Sequence, residues 1–247
     1  MTEPDFLVAT RAAYDASAAL YVELVSQTFL SNPLDHAMIS VFAELVRGAG
    51  DGLVADVGCG PGHVTAHLGS LGVTAFGVDL SPEMIAIARD AHPGLRFEVG
   101  RMEALDVEDA SLAGVLANYS IIHTPPERLP LTLAEFHRVL APGGLLLVAF
   151  QGYDHPSELA EAFDHKVSLA YRYSPDRVAE LLLKAGLTEV ARLICAPGED
   201  RLRGFPMPTS WRAVRPNPTG RPVAPGPRPA LRTRGDRPRA QEKDPQG

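Results

Sequence analysis

Apolar positions recur along this chain in two rhythms. Tyr14, Leu20, Tyr21, Leu24 and Val25 follow helical spacing between Thr10 and Phe29, and a second helical stretch runs from about Pro33 to Gly48. From Gly52 onward, short β-rich runs alternate with helical ones. Strands are predicted at Leu53–Val57, Ala75–Val78, Arg96–Val99, Gly114–Asn118 and Leu145–Phe150, and helices near Gly62–Leu71, Pro82–Ala91 and Pro126–Leu140. Most of these strand runs are too apolar for a sheet with one wet face, which fits parallel strands covered by helices on both sides. The order is that of a doubly wound α/β fold with an N-terminal helical extension. In such a sheet ligands bind beyond the carboxyl ends of the strands where the winding reverses, which directs attention to the loops after the first two strands.

The second half of the chain departs from this alternation. Val167, Leu169, Tyr171 and Tyr173 recur at every second position, so an antiparallel excursion is expected over His165–Tyr173. A helix at Ser174–Gly186, with Leu181, Leu182 and Leu183 toward the core, and a strand near Glu189–Ile194 follow. Pro206 and Pro208 limit a later strand around Met207–Val214 to a sheet edge. From Pro216 the composition turns to Pro, Gly and Arg with almost no large apolar side chain, and such a segment cannot offset its ordering entropy. The expected division is residues 1–50 as an N-terminal helical cap, 51–215 as the ligand-binding domain and 216–247 as a disordered tail.

The richest stretch is Val54-Ala55-Asp56-Val57-Gly58-Cys59-Gly60-Pro61-Gly62-His63, a strand that enters a glycine turn and then a helix. Gly58 and Gly60 allow a tight turn and close backbone approach to a ligand, and the helix start offers unpaired N–H groups. The second strand ends at Asp79, 21 residues beyond Gly58, where a carboxylate meets ribose hydroxyls. The dinucleotide fingerprint would place its third glycine at position 63, which is His63 here.

The spacing Gly58-x-Gly60-x-Gly62, with Asp56 upstream, resembles motif I of the class I S-adenosylmethionine-dependent methyltransferases. The resemblance continues in order through Gly100-Arg101-Met102-Glu103-Ala104-Leu105, Asn118-Tyr119-Ser120-Ile121-Ile122-His123 and Leu140-Ala141-Pro142-Gly143-Gly144-Leu145, and covers roughly residues 10 to 215. It implies a Rossmann-like, mostly parallel seven-stranded sheet with S-adenosyl-L-methionine as cofactor. Gly58, Cys59, Gly60 and Gly62 would line the methionine portion, with Asp56 orienting its amino group. Asp79 and Leu80 would hold the ribose, Met102 and Glu103 the adenine, and Asn118 and Tyr119 would open toward the reacting methyl. Met84 reads equally well as adenine-packing surface or core.

Tyr14 would close over the cofactor, while Tyr21, Tyr171 and His123 would face the methyl acceptor. His123 reads either as a general base or as a hydrogen-bonding support of its loop. Tyr21 reads as readily as packing. The resemblance implies methyl transfer to a small molecule by in-line displacement. Two rivals stay open at this stage: a nicotinamide-dependent oxidoreductase, because Asp79 suits an NAD ribose as well, and a protein that binds S-adenosylmethionine without turnover.

Composition narrows the setting. A net charge of −7 over 247 residues argues against a surface built for nucleic-acid phosphates or anionic lipid. The arginines of the tail, Arg228 to Arg239, lack interleaved aromatic rings and read as solvated. Cys59 and Cys195 are far apart with no metal-type neighbours, so neither a disulfide framework nor a zinc site is indicated. With no leader-like N-terminus and no apolar run of about 20 residues, a cytoplasmic monomer or homodimer is expected.

Overall fold

The computed structural model describes residues 3–31, 33–50, 52–153, 158–195 and 209–217. Strand β1 (Val54–Val57) is buried at every position and pairs in parallel with β2 (Ala75–Asp79) on one side and β4 (Leu112–Asn118) on the other. β3 (Arg96–Val99) extends the sheet beyond β2, and β5 (Leu140–Gln151) pairs in parallel with β4. Two antiparallel strands, β8 (Leu187–Ile194) and β9 (Thr209–Pro216), complete the order β3-β2-β1-β4-β5-β9-β8. The winding reverses between β1 and β4, so the carboxyl ends of β1, β2 and β4 open onto one crevice.

Strand alternation divides the core into two layers. Ala55, Val57, Val115, Ala117, Leu146 and Val148 meet α5 (Leu129–Val139) and α6 (Pro175–Lys184) through Leu133, Phe136, Val178 and Leu182. Val54, Leu116, Leu145, Leu147 and Ala149 face the other way, onto α2 (Pro33–Ala49) and α3 (His63–Ser70) through Ile39, Phe42, Val46 and Leu68. A fully buried Leu or Phe contributes about 1.5–3 kcal/mol, so these two layers hold the strand ends in place. A smaller cluster of Cys59, Ile85, Ala88 and Phe97 seats α4 (Pro82–Ala91) against β3. Ser81 caps α4, its Oγ accepting from the Met84 N–H at 3.1 Å, with Pro82 in the first turn.

The two N-terminal helices play different parts. α2 is a layer of the core, whereas α1 (Asp5–Ser31), longer than its periodicity indicated, lies against α4 and over the crevice. The antiparallel excursion is present as a separate hairpin of β6 (Ala160–Asp164) and β7 (Leu169–Tyr173).

Two expectations are corrected. β9 lies inside the sheet between β5 and β8, because Pro206 and Pro208 precede the strand, outside the described residues, and remove none of its ladder bonds. Its polar Arg212 is tolerated inside because the guanidinium donates to Glu189 and to the Pro175 carbonyl. The expected tail also begins too early: Pro216 ends β9, and the Asn217 N–H donates to the Gly186 carbonyl at 2.7 Å. The remainder of that tail lies outside the described residues, and among those that are described no helix is long and apolar enough to cross a membrane.

Candidate functional site

At the carboxyl end of β1 the chain turns through Gly58 (φ +73°) and Gly60 (φ +52°), backbone conformations that side chains rarely adopt. A Cβ on Gly58 would lie 2.2 Å from the Ser120 Cβ, so only glycine lets this turn pass the end of β4. A Cβ on Gly60 would meet nothing within 4 Å and would project into open space. Tyr119 (φ +54°) holds a left-handed conformation beyond β4, which brings Ser120 round to Gly58.

Asp79, the last residue of β2, ties this turn to the next loop. Its Oδ2 accepts from the Gly60 N–H at 2.8 Å and its Oδ1 from the Ser81 N–H at 2.9 Å. Each carboxylate oxygen keeps a further lone pair, the geometry that receives two hydroxyls of a vicinal diol. Burial raises the Asp79 pKa, opposed by the N–H groups of Ser81, Gly60 and Leu80 and reinforced by the charge of Asp15.

Between these elements lies a cleft of about 840 Å³, a volume that includes open solvent. Val57, Gly58, Gly60, Asp79, Leu80 and Ser81 form its floor, Gly100–Glu103 one end, and Asn118–Ser120, His123 and Thr124 the other. Met102 is steadied by the Thr124 hydroxyl, 3.5 Å from its Sδ. The Glu103 carboxylate receives both Nε and Nη2 of Arg128.

The roof comes from α1 through Phe6, Leu7, Thr10, Arg11, Tyr14 and Tyr21. The Tyr14 hydroxyl lies 2.8 Å from His123 Nε2, and His123 Nδ1 lies 2.9 Å from the Leu169 carbonyl. A carbonyl only accepts, so Nδ1 carries the proton and Nε2 accepts from Tyr14. Burial, with the neighbouring His165 ring, pushes the His123 pKa down to about 4, which keeps this tautomer neutral at physiological pH.

Of the residues expected at the site, Tyr14, Tyr21, Gly58, Gly60, Asp79, Leu80, Met102, Glu103, Asn118, Tyr119 and His123 meet around the cleft. Asp56, Cys59, Gly62, Met84 and Tyr171 do not line it. Asp56 points from β1 to the opposite side, where its Oδ2 accepts from the Thr65 hydroxyl at 2.6 Å. Cys59 packs over β2, since a Cβ on Gly77 would lie 2.6 Å from its Sγ. Gly62 faces the Phe97 ring, Met84 is buried under α4, and Tyr171 packs beside Tyr173.

The sequence reading missed Phe6, Leu7, Thr10 and Arg11, although positions 7, 10, 11, 14 and 21 form one helical stripe that extends the recognised pattern backwards. It also missed Ser81, Ser120 and Thr124.

A doubly wound sheet with a glycine turn and a carboxylate at the end of its second strand defines a nucleoside-binding enzyme fold. Residues 54–144 match the family model described as "Methyltransferase domain". Over 133 residues the chain is 32% identical to a malonyl-[acyl-carrier protein] O-methyltransferase of Pectobacterium atrosepticum, covering 49% of this chain and 52% of that protein, so it spans about half of that relative. Over 180 residues it is 30% identical to a demethylmenaquinone methyltransferase of Chlorobaculum parvum, covering 66% of this chain and 71% of the relative.

Among solved structures, the Burkholderia thailandensis 1,6-didemethyltoxoflavin-N1-methyltransferase is similar at a TM-score of 0.66 and 22% identity, covering 88% of this chain and 92% of that one. The [4+2]-cyclase SpnF is similar at a TM-score of 0.71 and 16% identity, covering 88% and 98%. The last two likenesses concern the fold alone. The chain belongs to the S-adenosylmethionine-dependent methyltransferase family, and its cofactor is S-adenosylmethionine.

The cleft fits that cofactor on its own evidence. Asn118 Oδ1 and Ser120 Oγ are buried near Gly58 with no hydrogen-bond partner among the described residues, and buried polar groups without partners cost about 1–3 kcal/mol. A polar methionine end supplies such partners, and the lone pairs of Asp79 suit the ribose diol.

Proposed function

We propose that this protein transfers the methyl group of S-adenosylmethionine to a small-molecule acceptor admitted to the Tyr14–Tyr21–His123 end of the cleft. The observation that carries the reading is Asp79, held by the N–H groups of Gly60 and Ser81 with lone pairs left over at the rim of a cleft roofed by α1. Helix α1 supplies the roof, while α2 packs into the core of the cofactor-binding domain. Asp79 and Leu80 take the ribose, Met102 and Glu103 frame the adenine, Gly58 and Gly60 flank the methionine portion, and Asn118 and Ser120 meet its polar end.

When bound, S-adenosylmethionine supplies an electrophilic methyl on a sulfonium whose departing thioether is neutral, so no residue has to protonate a leaving group. The work left to the chain is alignment and exclusion of water, which in well-oriented systems contributes about 7–11 kcal/mol. Tyr14, Tyr21 and α1 exclude water, and the β4 end holds the acceptor in line. The Tyr14 proton points at His123 Nε2, while its oxygen, also hydrogen-bonded to the Tyr21 side chain, lies at the cleft. An acceptor O–H or N–H can therefore pass its proton to Tyr14 as the Tyr14 proton moves to His123. His123 is a weak base, so this transfer accompanies or follows methyl transfer, when the acceptor has become far more acidic.

The test is incubation with S-adenosylmethionine and a panel of small metabolites, with S-adenosylhomocysteine as the readout. Acceptor-dependent product supports the reading. A protein that binds S-adenosylmethionine but turns over no acceptor in a broad panel contradicts it.

A further inference from the structure

Over residues 5–23, whose side chains are described, helix α1 is fastened by polar contacts more than by apolar burial. Among its described side chains Leu7 and Ala18 are the buried hydrophobic ones, and none of them belongs to the three apolar clusters of the molecule. Its attachments reach both ends of the cleft. Thr10 Oγ1 lies 3.5 Å from Ser168 Oγ, and Tyr14 bonds to His123, both on the acceptor side. On the ribose side, Asp15 Oδ1 accepts from the Ser81 hydroxyl at 2.5 Å and stands 3.4 Å from the Glu83 N–H.

Ser81 thereby joins two carboxylates. Its backbone N–H donates to Asp79 and its hydroxyl proton to Asp15, which leaves the hydroxyl lone pairs free to accept from Met84 N–H and cap α4. Asp15 fixes the direction of that hydroxyl. The two carboxylates also stand close enough for the charge of Asp15 to act on Asp79. Such repulsion opposes docking of α1, and hydroxyl donors arriving at Asp79 offset it.

We propose that Asp15 is a positioning residue that couples docking of α1 over the cleft to the diol-binding shape of the Asp79–Ser81 loop, so that nucleoside binding and helix docking stabilise each other. The proposal rests on the reading of the cleft as the S-adenosylmethionine site. Linkage makes the effect reciprocal: docking of α1 raises nucleoside affinity by the same factor by which bound nucleoside favours docking.

The experiment combines calorimetric titration of S-adenosylhomocysteine with amide hydrogen exchange over α1, with and without that nucleoside. In the parent, exchange in α1 slows on binding. In Asp15→Ala the affinity falls by about tenfold or more, as expected on losing a charge-assisted hydrogen bond, and the slowing in α1 disappears. Asp15→Asn keeps an oxygen acceptor for Ser81 and stays within about threefold of the parent. The ligand-free unfolding midpoint of Asp15→Ala matches the parent, because α1 lies outside the apolar clusters.

Affinity of Asp15→Ala within about twofold of the parent overturns the proposal, as does equal loss in both variants with a lowered ligand-free midpoint. Should Asp15→Ala fail to fold, the parent alone decides: binding with no slowing in α1 overturns the coupling and leaves the methyltransferase reading standing. A parent that binds no S-adenosylhomocysteine overturns both.

Discussion

The hydroxyl of Tyr14 donates to Nε2 of His123 across a gap of 109 residues in sequence, and the opposite ring nitrogen donates to the Leu169 carbonyl. One hydrogen-bonded row thus joins the roof helix, the loop after β4 and the β6–β7 hairpin. It fixes the tautomer of a half-buried, neutral imidazole, and in the proposed mechanism Tyr14 is the member of the row that meets the acceptor.

Tyr14→Phe removes the hydroxyl and keeps the ring, and is expected to lower kcat by about 10²-fold, with a much smaller loss of cofactor affinity from the looser docking of α1. His123→Ala is expected to do the same. Because the two act as a unit, the double variant should be no slower than the slower single one. Steady-state kinetics of the three variants decide this, and multiplying losses would separate the residues.

The pH dependence of turnover carries a second signature. A free imidazole changes charge near pH 6.5, but burial pushes His123 down to about 4, so it stays neutral through the neutral range. The kcat profile between about pH 5.5 and 7.5 is expected to show no inflection from this ring. An imidazole-like inflection near pH 6.5 that vanishes in His123→Gln would contradict that assignment.

Asp56 makes a prediction about stability. Burial raises its pKa to about 7, against an ordinary 3.8, with the Thr65 hydroxyl opposing the shift and the charge of Asp79 adding to it. Between those values the unfolded chain has lost this proton and the folded chain retains it, so folding stability falls as pH rises through the window. Asp56→Asn keeps an acceptor for Thr65 and removes the charge. Its unfolding midpoint should match the parent below pH 4 and exceed it at pH 8, by an amount worth a few kcal/mol at most, about 1.4 kcal/mol per pKa unit. Thermal unfolding at the two pH values measures the difference, and a parent at least as stable as the variant at pH 8 would contradict it.

The turn itself is testable through Gly58 and Gly60. Gly58→Ala places a Cβ 2.2 Å from Ser120 Cβ in a left-handed backbone, and should destabilise by about 2–4 kcal/mol. Gly60→Ala meets no neighbour and bears the backbone strain alone, about 1–2 kcal/mol. Adding Ser120→Gly to Gly58→Ala should restore part of the loss by removing the colliding atom, as read from unfolding midpoints. Equal losses at the two glycines would show that the contact does not matter.

Where sequence and structure part, the reason is geometric. Gly58, Gly60 and Asp79 were legible because strand, turn and helix follow one another and the glycine spacing reports a local backbone path. Asp56 stands two positions from Gly58, yet side-chain alternation on β1 sends it to Thr65 while Val57 faces the cleft. Pro206 and Pro208 made β9 read as a sheet edge, whereas they precede the strand, and the partners that hold its buried Arg212, Glu189 and Pro175, are 23 and 37 residues away in sequence. Asp15 and the stripe through Phe6, Leu7 and Arg11 carry helical periodicity, but what a helix covers is a tertiary fact that periodicity does not contain.

Everything said of the cleft depends on Asp79 receiving the ribose of S-adenosylmethionine, and one calorimetric titration of S-adenosylhomocysteine into the parent and into Asp79→Asn tests it. The parent should bind, and the variant, folded but without the charged acceptor, should bind about 10- to 100-fold more weakly. Equal affinity in the two proteins, or no binding heat in the parent, would contradict the account.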